Sequence, residues 1–513
     1  MGMQVVELAT TGRSATFEIL NEHAWQVPLP YQIVLNDQAI GETARNVFSL
    51  QDLTAGTDYR LALRSANAQC ELRFATAKER FRLDIRAFGA VGDGVTDNTT
   101  AIQAALSACP SGGVVEIPAG EWLSAPLFLK SGIDVYLAAG ARLIGHPDIG
   151  RWPVLPGVIA GSHAEPDDYL GTWEGHPQDC HAALINGIGV HDVRIHGAGC
   201  IDGNASFRTW WSRPKEPFAG WRPRAVYWWR ASRISMTGVT VRNSPSWTVH
   251  ALFCRDLTFA ELKIESPEDS PNTDGIVPES CENVRIAGVR ISTGDDCVAI
   301  KSGKAWIAER MACSTRNVEI SNCLMELGHG AVVIGSEMAG GVYNIAIRNC
   351  IFSGTERGLR IKTRRGRGAI VDGVRLDNVI MRRVGTPFVV NSFYFCDPDG
   401  RAPHVGDRRA LPVDSGTPTL RHISLSDVDC SEISHSAGYV LGLPELPLEG
   451  LTMRRYRVRF DPDASPGFPD RAESIGEVVQ SGLYVCNVRG LVLEDVDIAG
   501  SIGPSIAREN VAS

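Results

Sequence analysis

Short runs of alternating apolar and polar positions fill most of the chain. In the first 78 residues they include Tyr31-Gln32-Ile33-Val34-Leu35 and Tyr59-Arg60-Leu61-Ala62-Leu63, with turn residues between them. Period-two alternation interrupted by turns marks short strands. The charged run Lys78-Glu79-Arg80 ends this stretch, so residues 1–80 are expected to form a small β domain. The pattern changes once, between Asn98 and Ala108, where Ala101, Ile102, Ala105 and Leu106 fall on one helical stripe. From about residue 113 to about 500 a single theme returns, of strand, Asn, Asp or Gly turn, then strand. Copies are Val193-Arg194-Ile195-His196-Gly197, Val284-Arg285-Ile286-Ala287-Gly288, Ile345-Ala346-Ile347-Arg348-Asn349 and Ile423-Ser424-Leu425-Ser426-Asp427. Their spacing of roughly 23–34 residues suits a solenoid with variable loops. Residues 81–513 are therefore predicted to be an all-β, right-handed parallel β-helix, with the helix of residues 98–108 capping one end.

In such a coil one face of each strand fills the core and the other meets solvent. Most polar residues of the repeats are then outer faces, and Cys254, Cys281, Cys323 and Cys350 are expected inside. In the first module, Leu53-Thr54-Ala55-Gly56-Thr57-Asp58-Tyr59 resembles a conserved turn of fibronectin type III domains. That resemblance makes the module a β-sandwich, Tyr59 the residue whose hydroxyl closes a corner, and Trp25 the core tryptophan.

Composition excludes several classes. A net charge of −9 gives no basic bias for binding nucleic acid through phosphates. No stretch approaches the ~20 apolar residues of a membrane helix, and no secretory leader is visible in Met1–Leu20. The chain has 13 cysteines, an odd number at scattered spacings without CxxC. That argues against a disulfide framework or a zinc site. These readings together point to the cytoplasm; the alternative is a periplasmic or secreted enzyme whose leader has been removed.

Four clusters interrupt the solvated pattern: Asn272-Thr273-Asp274-Gly275, Gly294-Asp295-Asp296-Cys297, Gly328-His329-Gly330 and Arg360-Ile361-Lys362. Singly, each reads as a turn, a capping pair, a loop or a charged outer face. Arg360 and Lys362 share a strand face while Ile361 points inward. Asp295 and Asp296 would point opposite ways on a flat strand, and a bend next to Gly294 would bring both outward. Coils stack about 4.8 Å apart, so the clusters can form one patch of three carboxylates, a histidine and two cations. Such a patch suits glycoside hydrolysis of an anionic sugar, which needs one protonated and one ionised carboxyl. Crowded carboxylates raise one another's pKa, and arginine and lysine can hold a sugar carboxylate. Arg364, Arg365 and Arg367 are expected to add a local positive field.

In this order the four motifs resemble those of the polygalacturonases, glycoside hydrolase family 28, and the resemblance spans about residues 83–500. It implies inverting hydrolysis of α-1,4-galacturonan without metal or other cofactor. It makes Asp295 the general acid, and Asp274 and Asp296 the groups that position and activate water. His329 would tune the acid, and Arg360 and Lys362 would bind the galacturonate carboxylate. Tyr394 is the candidate for a substrate-contacting tyrosine, and Asn272 is expected to orient Asp274 or contact sugar. Members with a fibronectin-like module and long loops are bacterial exo-enzymes acting from the non-reducing end, which implies that mode here. Long segments containing Trp173, Trp210, Trp211, Trp221, Trp228 and Trp229, the segment with Trp306, Ile307 and Met311, and the loop from Cys396 to Pro418 are candidates for closing one end of the groove. The expected partner is polygalacturonate or an oligogalacturonide, not nucleic acid or membrane. Open alternatives are a relative acting on rhamnogalacturonan or substituted galacturonan, a lyase with calcium on the aspartates, and a non-catalytic glycan-binding β-helix.

Overall fold

The computed structural model describes residues 3–65, 69–162, 166–472 and 475–512. From Phe81 onward the chain winds into a right-handed parallel β-helix whose strands join one sheet of 32. Each strand pairs in register with its counterpart one coil away, so like side chains stack. One inward ladder runs Val249, Ile276, Val298, Val332, Leu359, Phe388. Another runs Ile234, Leu257, Val284, Val318, Ile345, Val374, Ile423. The third face stacks Ile201, Val241, Ile264, Ile291, Met325, Phe352, Met381. All belong to one buried cluster. At about 1.5–3 kcal/mol per buried aliphatic side chain, this continuous column is what holds the stack together.

The turn asparagines are structural, as their context suggests. Asn283, Asn317 and Asn344 sit at positive φ. The Asn317 amide donates to Asn283 Oδ1 at 3.1 Å, and the Asn344 amide to Asn317 Oδ1 at 3.2 Å. Helix α1 (Thr99–Ala108) lays Ile102, Ala105 and Leu106 on the same core. It packs on the turn Ile85–Phe88 and the strand Leu127–Phe128, at the end of the stack where the strands Phe81–Asp84 and Asp93–Asp97 pair with the following coil. Cys254, Cys281, Cys323 and Cys350 are buried free thiols, as expected.

Before the helix, seven antiparallel strands between Gln4 and Ala75 form sheets of three and four. Phe17, Ile19, Phe48, Leu61, Leu63 and Phe74 fill their core. The Tyr59 hydroxyl accepts the Thr54 amide at 2.8 Å. Trp25 is not part of that core. It is buried at the seam with the coil, where its amide donates to the Asn349 carbonyl at 2.9 Å and the Arg45 guanidinium lies over its ring. The fully buried Glu18 closes the same seam. Its Oε1 accepts from Ser321 Oγ at 2.9 Å, Asn322 Nδ2 at 2.7 Å and Arg348 Nη2 at 2.8 Å.

Candidate active site

Asp274, the Asp295–Asp296 pair and His329 occupy three successive corners of the coil. They lead into the strands Ile276–Glu279, Val298–Ile300 and Val332–Ile334. The register Ile276, Val298, Val332, Leu359 stacks these corners over the strand Arg357–Lys362. Backbone bonds tie them: Gly275 N–H to Asp296 O at 3.0 Å, Cys297 N–H to Gly330 O at 2.8 Å and His329 N–H to Asp295 O at 3.2 Å. Gly294 has no room for a side chain, since a Cβ there would meet the Ser270 carbonyl oxygen at 2.3 Å. Gly328 combines φ +85° with a carbonyl, that of Asp295, 2.3 Å from where its Cβ would be. These two glycines let three corners approach closely enough for their carboxylates to meet.

One oxygen each from Asp274, Asp295 and Asp296 lies within 4.8 Å of the others. Asp274 and Asp296 are recessed, at 3% and 1% exposure, while the Asp295 side chain keeps 18%. Cations are interleaved. Lys362 Nζ donates to Asp296 Oδ2 at 2.8 Å. Lys301 Nζ donates to Glu337 Oε2 at 2.9 Å and stands 4.0 Å from Asp274 Oδ2. His329 Nδ1 is 3.2 Å from Asp295 Oδ1.

This arrangement separates the carboxyls. Burial, reinforced by the neighbouring charge of Asp295, pushes Asp274 well above the ordinary carboxylate range. Burial pushes Asp295 the same way, but the His329 hydrogen bond, with the charges of His329, Lys362 and Lys301, overrides it and holds Asp295 well below that range. The Asp295 bond in turn raises His329 above its usual value. Burial disfavours the Lys301 ammonium, yet the charges of Glu337, Asp274 and Asp296 raise it overall. The free protein therefore favours a proton on Asp274 and His329 over one on Asp295.

Ile361 points into the core as its alternation predicts. Arg360 and Lys362 lie on the opposite face, 5.3 Å and 5.5 Å from the Tyr394 ring. Arg360 is ion-paired with the buried Asp470, which also accepts the Asn391 amide at 2.7 Å, and the Arg360 Nε has no partner. Asn272 is held by Arg222, whose Nη2 donates to its Oδ1 at 2.7 Å. The buried Arg222 also binds the carbonyls of Pro245, Pro271 and Pro214. No bond joins Asn272 to Asp274 among the described residues, so the expectation that it orients Asp274 is not met.

All eight sequence-nominated residues line one cleft of about 510 Å³. Lys301, Glu337 and Trp247 also line it and were missed. Lys301 had a signal, because Ile300 stacks through Ile334 onto Ile361; the residue after it is the outward neighbour, as Lys362 is. Asp470 had none, lying 110 residues from its partner Arg360.

Two other expectations are corrected. Arg364, Arg365 and Arg367 do not supply a free positive field: they are buried and pair with Asp399 at 2.9 Å, Glu445 at 2.6 Å and Asp397 at 2.6 Å. Their guanidiniums brace the loop beyond Cys396, because a buried charge needs a partner. The early tryptophans pack beneath loops, with Trp173 stacked on Trp221 at 4.6 Å and Trp152 edge-on to Trp210 at 5.4 Å, and none of the six lines the cleft. The segment of Trp306 forms a short helix, α2 (Ala305–Met311). Glu174 and Lys215, an ion pair at 2.8 Å, also line the cleft. A larger groove of about 990 Å³ runs along the seam of the two parts, and it contains none of these catalytic candidates.

A family model, Glycosyl hydrolases family 28, matches residues 170–406, and a Rhamnogalacturonase A/epimerase, pectate lyase-like model matches residues 83–148. A protein of Vitis vinifera named "Probable polygalacturonase" is 33% identical over 388 residues, covering 73% of each chain. The chain belongs to glycosyl hydrolases family 28. The family 28 hydrolase described here is also 25% identical to an exo-poly-alpha-D-galacturonosidase of Dickeya chrysanthemi, over 68% of this chain and 64% of that one. Its fold matches that of the Yersinia enterocolitica family 28 exopolygalacturonase with a TM-score of 0.74 at 19% identity, covering 100% of this chain and 98% of the other. No helix among the described residues is long and apolar enough to cross a membrane.

Proposed function

We propose that this family 28 hydrolase cleaves α-1,4-galacturonosyl linkages of polygalacturonate or oligogalacturonides, and that it acts from a chain end. The observation that carries the reading is the trio Asp274, Asp295 and Asp296, which place one carboxylate oxygen each within 4.8 Å of the others in a cleft shared with Lys362 and Arg360. The exo-poly-alpha-D-galacturonosidase relative of Dickeya chrysanthemi supports the exo mode.

Asp295, the member of the trio open to the cleft, protonates the leaving oxygen. Its proton is stored next door in the free enzyme, on His329 Nδ1 at 3.2 Å and on Asp274. Substrate that expels water and brings its own carboxylates raises Asp295 and draws the proton across, because the crowded groups titrate as one set. Asp274 and Asp296 hold and activate water. At 3% and 1% exposure they are too recessed to attack the anomeric carbon themselves, whereas a water between them is not. That favours inversion, although the trio is tighter than the roughly 6.5–9.5 Å typical of an inverting pair. Proton NMR of the first-formed anomer checks it: β-galacturonate from the α-linkage means inversion, and α-galacturonate would return the nucleophile role to a carboxylate. Calcium on the trio, as in a lyase, would face the ammonium groups of Lys362 and Lys301 at short range. The thirteen free cysteines support a cytoplasmic, reducing location, which cell fractionation tests.

The deciding experiment is the product time course from polygalacturonate, with and without chelator. Saturated mono- or digalacturonate from the first minutes is the expected result. A ladder of oligomers would replace the exo mode with an endo mode. An unsaturated, chelator-sensitive product would mean a lyase, and no product would move the search to rhamnogalacturonan or substituted pectins.

A further inference from the structure

The cleft does not stop at Arg360 and Tyr394. Phe395 and Arg471, which line it, also line a second cavity of about 530 Å³. Charge accounting shows what this second cavity offers. Glu356 is ion-paired with Arg357, and Asp470 with Arg360. The Arg357 guanidinium also holds the carbonyls of Phe468 at 2.8 Å and Pro469 at 3.2 Å. The Asn391 amide holds the Arg471 carbonyl at 3.0 Å. The segment carrying Phe468 and Arg471 is thus pinned from below at three points. What it presents is the exposed guanidinium of Arg471, for which no partner is recorded among the described residues, and the Phe468 ring at 48% exposure. His435 completes the cavity, with a Nδ1 that has no hydrogen-bond partner.

An exposed guanidinium and an exposed aromatic ring that line one cavity make a recognition set for an anionic sugar. The fork binds the carboxylate and the ring covers the apolar face of the pyranose. We propose that Arg471, Phe468 and His435 form a subsite on the leaving-group side of the cleft, which binds the second uronate residue beyond the scissile bond. This rests on the galacturonan reading above. Arg360 and Lys362 engage the first residue on that side, and the chain continues through the open junction at Phe395 and Arg471. The length of chain on the leaving-group side is therefore sensed here. The result is a preference for trisaccharide over disaccharide, set by residues outside the catalytic trio.

The test measures kcat/KM for digalacturonate and trigalacturonate with the wild type, Arg471→Gln and Phe468→Ala, and reads the ratio of the two substrates within each protein. The wild-type ratio should favour trigalacturonate by about tenfold, the worth of one charged hydrogen-bonded contact. The gain should lie mainly in KM and shrink with added salt. Arg471→Gln should bring the ratio to within about twofold of unity and remove its salt dependence, and Phe468→Ala should reduce it part-way. Because each readout is a ratio within one protein, partial misfolding of a variant does not mimic the effect. A wild-type preference that survives Arg471→Gln, or no preference in the wild type, overturns the subsite while leaving the galacturonan reading intact. Failure of the wild type to cleave either oligomer overturns the subsite, and failure on polygalacturonate as well overturns both.

Discussion

Burial and the neighbouring charge of Asp295 hold a proton on Asp274, while the His329 hydrogen bond overrides burial and keeps Asp295 charged. The contrast fixes the pH behaviour. Activity should fall on the acid side as the carboxylate that activates the water takes up a proton, and on the alkaline side as His329 and Asp274 lose the protons that Asp295 hands to the leaving oxygen. His329→Ala removes the proton store hydrogen-bonded to Asp295, so the alkaline limb of the kcat/KM profile should move to lower pH. An unmoved limb would detach His329 from the acid. The pair also couples to stability. The depressed Asp295 stabilises the fold above its unfolded pKa, and that contribution is lost as pH falls. The raised His329 stabilises the fold below its unfolded pKa, and that contribution is lost as pH rises through the folded value. The full contribution therefore lies between about pH 4 and 6.5, and unfolding midpoints of wild type and His329→Ala should differ most there. Asp295→Asn should lower kcat on polygalacturonate by about 10²–10⁴-fold. Much less should be lost on an aryl galacturonoside whose leaving group needs no proton. If Asp274→Asn shows that rescue instead, the acid role belongs to Asp274, the carboxyl that carries the proton in the free enzyme.

At the scale of elements, the site is a consequence of how corners stack. Gly294 shows how little slack there is, with the Ser270 carbonyl 2.3 Å from its missing Cβ. Gly294→Ala must shift the corner that carries Asp295 and Asp296. A displacement near 1 Å costs catalysis about 10²-fold, so kcat should fall by about that much while far-ultraviolet circular dichroism stays unchanged. A wild-type kcat would show that the corner moves freely. The strands, helix α1 and the motif residues were legible because each depends on local periodicity or spacing. Ile361 between Arg360 and Lys362 announced its own inward turn. The partners were not legible. Asp470, Glu337 and Arg222 reach the site through loops whose paths no short-range pattern fixes. The same blindness misassigned the Arg364–Arg367 cluster, whose carboxylate partners at 397, 399 and 445 convert an apparent anion trap into the brace of a loop. Tryptophan-rich segments misled for a related reason, since large rings pack under a loop as readily as they line its mouth.

For the whole molecule, the question is whether the N-terminal module serves the chemistry. Its seam meets the coil at Ser321, Asn322, Arg348 and Asn349. Asn322 lies between the strands Thr315–Ser321 and Leu324–Glu326, a different corner from the one that carries His329. No seam residue lines the catalytic cleft. The module therefore acts on the stack, not on the reacting groups. Glu18 is the test, being a fully buried carboxylate whose partners all come from the coil. Glu18→Ala leaves the Arg348 guanidinium without its inner partner, although Glu319 still pairs with it at 2.7 Å. Breaking such a buried pair costs on the order of 3 kcal/mol, and the cost should appear first as separation at the seam. Limited proteolysis near the 78–80 linker should accelerate, and denaturant unfolding should split into two transitions. Specific activity of the uncleaved variant at 25 °C should stay within about twofold of wild type, the margin left when a distant surface loosens without moving the catalytic corners. A variant that resists proteolysis like the wild type would show that the seam is held by the ring of Trp25 and the fit of Val47 against Gly288, with Glu18 adding little. One that stays intact but loses turnover would mean that strain at the seam reaches the aspartates through the stacked coils.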